Sequence, residues 1–127
     1  MTIRFVNTLQ GGASITVSVD TRRITPRVRR AVQQSIYIVS DQVMKDCNMY
    51  VPMDTGALRN SSITHSDLSN GQIRWVTPYA RRLYYGVSFN FSRHVNPRAQ
   101  ALWAEKARSV HKGEWQMVAQ RAVERFL

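Results

Sequence analysis

Val51-Pro52-Met53-Asp54-Thr55-Gly56-Ala57-Leu58-Arg59-Asn60-Ser61 decides how this chain is laid out, because it ends a long helical pattern and turns the backbone sharply. Pro52 has no amide to donate and pushes Val51 away from helical angles, so the helix before it stops near Tyr50. Asp54 or Thr55 can accept from amides downstream, and Gly56 permits a backbone angle that other residues resist. Ala57-Leu58-Arg59 then has room for one helical turn, and the chain is predicted to pass into a strand. On its residues alone this is a helix-to-strand corner.

Upstream, Thr25-Pro26 opens that helix with a side-chain acceptor at the cap and proline at the first helical position. Val28, Val32, Ser35 or Ile36, Val39, Val43, Cys47 and Tyr50 recur at steps of three and four, which places them on one face of a helix about 37 Å long. Ile38 and Met44 widen that face or give it a second edge. Further upstream, Thr2–Asn7 and Ile15–Val19 alternate at period two around Gly11-Gly12, the pattern of a β-hairpin or extended arm. Such a hairpin needs the domain or a neighbouring subunit to pack on.

Downstream, Ser62–Ser66 and Gln72–Thr77 flank the Asn70-Gly71 turn signal and are predicted to pair as a hairpin, with Ile63, Ile73 and Trp75 on its apolar side and His65 on its surface. Thr77-Pro78-Tyr79-Ala80-Arg81-Arg82-Leu83-Tyr84-Tyr85-Gly86 is predicted to form a two-turn helix with Tyr79, Leu83 and Tyr84 or Tyr85 inward and Arg81 and Arg82 outward. Residues 87–95 fit either a third strand or a loop exposing Phe89 and Phe91. Asn96-Pro97 repeats the cap-plus-proline start, so a second long helix is expected from there, with Gly113 marking a kink or break. Trp103 and Trp115 on that helix are expected to serve as core or interface anchors. The sum is an α+β fold: long N-terminal and C-terminal helices on a small antiparallel sheet, an arm or hairpin over residues 1–24 and an α+β body over residues 25–127.

Composition sets further bounds. A chain of 127 residues, 43% hydrophobic, suits one folded domain rather than several or a disordered tail. The single cysteine, Cys47, sits in the apolar stripe and is expected to be a buried thiol. No apolar run approaches the ~20 residues of a membrane span, and no secretory signal pattern opens the chain. The net charge of +10 attracts polyanions. Its densest cluster is Arg22, Arg23, Arg27, Arg29 and Arg30, suited equally to phosphates and to acidic surfaces of partner subunits. Tyrosines beside Arg81 and Arg82 admit base stacking as well as simple anchoring.

Catalytic chemistry is thin. His65, His94 and His111 share no spacing, and no phosphate loop, paired-cysteine motif or nucleophile elbow occurs. No enzyme activity, catalytic residue, cofactor or metal is expected.

The two quoted stretches give the chain its resemblance. Pro52, Asp54, Thr55, Gly56, Leu58, Arg59 and Ser61, followed by Pro78, Tyr79 and Ala80, resemble the signature of the tail-completion and head–tail joining minor capsid proteins of tailed bacteriophages. The likeness runs from Thr25 into the C-terminal helix, and the N-terminal arm is an addition to that pattern. It implies a virion protein of the neck or upper tail, made in the host cytoplasm. Six copies would form a ring that completes the tail and couples it to the head connector. Partners would be the connector and the tail terminator or tube proteins, with non-specific contact to double-stranded DNA in the lumen and none with membrane. The residues alone support an alternative, a free basic nucleic-acid-binding module.

Overall fold

The computed structural model describes residues 13–19, 22–53 and 55–127. The expected strand over Thr2–Asn7 lies outside the described residues, as does Asp54. The elements run β1 (Ala13–Thr16), α1 (Pro26–Asn48), α2 (Ala57–His65), β2 (Gln72–Trp75), α3 (Ala80–Tyr84) and α4 (Trp103–Phe126), with a 3₁₀ turn at Leu68–Asn70. This is the α+β class expected: two long helices beside a two-stranded antiparallel sheet.

Helix α1 starts as its sequence dictates, with Thr25 Oγ1 accepting from the Val28 amide at 3.3 Å and Pro26 following the cap. Its buried face carries Val32, Ser35, Val39, Val43, Met44 and Cys47, so Met44 widens one face, the first of the two arrangements that the spacing allowed. It lies antiparallel to α4. Arg27 in the first turn of α1 donates to the Leu127 carbonyl at 2.6 Å, while Asp46 in the last turn accepts from Trp115 Nε1 at 2.7 Å. Trp103, Ala104, Ala107, Trp115, Ala119 and Ala122 are the buried residues of α4, and the alanines among them leave room for α1 to pack alongside.

The sheet differs from the expected one. β2 pairs with β1, not with residues 62–66, in the register Ala13↔Trp75, Ile15↔Ile73. Ala13, Ile15, Ile73 and Trp75 turn inward and are buried, whereas Ser14, Thr16, Gln72 and Arg74 face outward. Of the expected hairpin only the bridge Asp67↔Gln72 forms, across the 3₁₀ turn that Gly71 ends at φ +71°; the Gly71 carbonyl accepts from the Val17 amide at 2.7 Å, and a Cβ there would strike the Val17 carbonyl oxygen.

Residues 62–66 belong largely to α2, which runs nine residues instead of one turn. Its buried positions are Leu58, Ser61 and Ser62, at helical spacing, but two of the three are polar. Ser61 and Ser62 Oγ donate to the Leu58 and Arg59 carbonyls at 2.7 Å each, so their hydroxyls are satisfied inside the helix. Ile63, expected on the sheet's apolar side, is 60% exposed, and His65 ends a helix rather than lying on a strand.

The second long helix starts at Trp103, not after Asn96-Pro97. The Ala99 amide closes a turn on the Asn96 carbonyl, but the Gln100 amide bonds across to the Tyr50 carbonyl at 3.1 Å and the helical ladder does not propagate. The backbone reverses at Leu102, φ +51°, where its amide reaches the Tyr84 carbonyl at 2.8 Å, and α4 begins. Gly113 does not break α4, which runs on through it. Residues 87–95 are a loop. Among the described residues no helix is long and apolar enough to cross a membrane.

Candidate functional site

The corner after α1 is built from both quoted stretches. Gly56 holds φ +86° at the start of α2, a left-handed conformation that a Cβ would strain, and its carbonyl accepts from the Asn60 amide. Thr55 Oγ1 accepts from the Ala57 amide at 3.4 Å. Arg59 reaches back so that Nη2 donates to the Asn48 carbonyl at 3.1 Å, placing a cation against the C-terminal pole of α1. Ser61 Oγ accepts from the Val76 amide at 3.2 Å, joining α2 to the end of β2.

Asn48 is the hub behind this corner. Its Oδ1 accepts from Trp75 Nε1 at 3.0 Å and its Nδ2 donates to Ser62 Oγ at 2.8 Å, all within the buried interior. Asn96 Nδ2 donates to the carbonyls of Met49 and Val51 at 3.0 and 2.8 Å while its Oδ1 accepts from the Arg98 amide at 3.1 Å, so the asparagine expected to cap a helix caps a single turn and also clamps the corner. Behind it Trp103 meets Trp75 and Tyr84 edge-on, with ring centroids 5.6 and 4.7 Å away. Trp103 and Trp115 are thus core anchors.

On the outer side the corner opens into a cleft of about 780 Å³ between the two motif stretches, lined by Pro52, Met53, Thr55, Gly56, Ala57 and Leu58 on one wall and by Tyr79, Leu83 and residues 89–92 on the other. Of the ten motif residues, Pro52, Thr55, Gly56, Leu58 and Tyr79 meet here. Arg59 and Ser61 face the hub, Ala80 is fully buried, and Pro78 is exposed. α3 is shorter than expected and lacks the Thr77 side-chain cap. Tyr84 faces inward and Leu83 is half-buried, but Tyr79 and Tyr85 are exposed. Arg81 and Arg82 are exposed, and the Arg82 guanidinium lies 5.5 Å from the centroid of the Phe89 ring, at the cleft's edge. With Val87 at 73% exposure and Val95 also exposed, the segment from Tyr79 to Val95 presents a run of large apolar side chains to solvent.

Arg22, Arg23, Arg27, Arg29 and Arg30 are exposed at the other end of α1, a helix of 23 residues and hence about 34 Å long. The structure does not bring them to the cleft or to Arg81 and Arg82. Nor is Cys47 a reactive group, since burial pushes its thiol far up from the ordinary value. One cluster escaped the sequence reading: Asp46 from α1 converges with His111 and Glu114 from α4. The signal available was the His-x-x-Glu step on α4; the partner carboxylate is visible only once the helices pair.

A family profile described as minor capsid protein matches residues 15–123. Neither a search of curated proteins nor one of solved structures gives a match.

Proposed function

Because the chain belongs to the minor capsid protein family, we propose that this structural component of a phage virion acts at the head–tail junction, where copies of it close into a ring that completes the tail and couples it to the head connector. The carrying observation is the cleft in which the two motif stretches meet, bordered by exposed Tyr79 and Phe89 and continuous with a solvent-facing apolar segment. A monomer gains nothing by presenting such a surface; buried against a neighbouring copy, it supplies the apolar core of an interface. A head-to-tail contact of this kind closes into a ring when its rotation divides the circle. Ring closure also suits a part whose task is to fit between others, and the family membership points the same way, to a structural role without bond-making chemistry.

Tyr79→Asp with Phe89→Asp tests this. Both side chains are exposed in the protomer, so the purified double variant should keep the parent's circular dichroism and Tm. Supplied to a phage lacking the gene, it should leave heads and tails unjoined. Normal titres from the variant, or virions without this polypeptide, would refute the reading.

A further inference from the structure

We propose that Asp46, His111 and Glu114 form a binding site for a first-row divalent cation such as zinc, clamping α1 to α4. Their ligand atoms all lie within 4.8 Å of one another: His111 Nδ1 is 3.2 Å from Glu114 Oε2 and 4.0 Å from Asp46 Oδ2. Donors about 2.0–2.1 Å from a tetrahedral zinc ion stand roughly 3.3 Å apart, so small side-chain rotations bring this set to bonding distance. The Asp46–His111 separation, in contrast, is too long for a hydrogen bond.

The surroundings orient each donor. Asp46 is almost wholly buried, and its carboxylate is fixed by Trp115 Nε1 at 2.7 Å and by Gln42 Nε2 at 3.1 and 3.2 Å. His111 lies stacked with Trp115, and its Nε2 faces the Tyr50 hydroxyl at 3.4 Å. In the tautomer with its proton on Nε2, toward the Tyr50 hydroxyl, the Nδ1 lone pair faces two carboxylates; in the other, Nδ1–H donates to Glu114 Oε2. In the first tautomer three electron-rich atoms converge, and a cation between them would satisfy all three. Gln42 Nε2 holds the outer oxygen Oδ1 of Asp46, and Oδ2, nearer His111, accepts from Trp115 while keeping a second lone pair toward the cluster; hydrogen bonds of this kind, to the far nitrogen of a histidine and to a carboxylate, are found behind metal ligands. Two carboxylates and one imidazole suit zinc, manganese or iron, and the nitrogen selects against magnesium and calcium. Glu114 is mostly exposed, so the fourth coordination position opens to solvent.

The untagged full chain, stripped with chelator and dialysed against zinc at neutral pH, should retain one equivalent. Its Tm should rise by roughly 10 °C when free zinc is a hundredfold above Kd. Glu114→Gln, at an exposed position, and Asp46→Asn, which keeps an acceptor for Trp115, should each weaken binding by at least about tenfold. His94→Ala, in the loop before α4, should leave it unchanged. Zinc held equally by the Glu114 and Asp46 variants, or no retained zinc at all, overturns the site.

Discussion

At the scale of single residues, Asn48 joins three elements although it belongs to neither motif. Its side chain receives Trp75 and gives to Ser62, and its backbone carbonyl receives Arg59, so sheet, α2 and α1 meet at one residue. Removing it leaves buried polar groups without partners, and the loss then includes their desolvation rather than only the hydrogen bonds. Asn48→Ala should lower unfolding free energy by about 2–4 kcal/mol, read from the urea midpoint at unchanged slope. A loss below about 0.5 kcal/mol, the range of ordinary surface substitutions, would show that Asn48 is not the hub. The conformational role of Gly56 fits the same view. The motif residues around Asn48 build a rigid corner, and the cleft is that corner's outer surface.

At the scale of elements, α4 carries an internal weakness that its packing overrides. Gly113 sits in an unbroken helix, and a Cβ there would meet nothing within 4 Å. Gly113→Ala should therefore stabilise the protein by about 0.5–1 kcal/mol, the backbone entropy that glycine forfeits, with a matching rise in Tm. A fall in Tm would mean that the glycine serves a bend or a close contact in the assembled state. The same balance explains what could be read from the sequence. α1 was legible to its cap because Thr25, Pro26 and the stripe to Cys47 all state one period. α2 was not, because its buried face is two serines, invisible to a search for apolar spacing, while Ile63 and Thr64 suggested a strand. The β1–β2 pairing was hidden for another reason: strands 55 residues apart leave no local mark, whereas Asn70-Gly71 advertised a hairpin. Asn96 starts only a turn, capped by its Oδ1 on the Arg98 amide, because the Gln100 amide is taken by the Tyr50 carbonyl, a tertiary demand. At the site, the family likeness named the two motif stretches but not their meeting in one cleft, and the Asp46–His111–Glu114 cluster required the two long helices to be paired first.

At the scale of the whole molecule, the densest arginine cluster and the motif cleft lie at opposite ends of α1. The arginine cluster crowds the helix's N-terminal pole, where the macrodipole is already positive and no acidic residue stands in the first turn. That placement opposes the dipole by about 0.3–1 kcal/mol for each nearby charge, so an anion at this pole relieves a built-in repulsion. Arg27 has a structural duty as well, since it satisfies the last carbonyl of α4. If the pole faces DNA in the lumen of a ring, binding must be independent of sequence and released by salt, as passage of a genome requires. The isolated chain should then bind duplex DNA weakly. Arg23→Gln with Arg30→Gln, which spares Arg27, should flatten the plot of log K against log salt by about 1.8, and Arg81→Gln with Arg82→Gln at the far end should leave it alone. Equal slopes for parent and for the Arg23 and Arg30 variant would move the cluster's partner from phosphate to an acidic protein surface. In that case the same arginines would be expected to set the affinity of one ring for the next component of the virion.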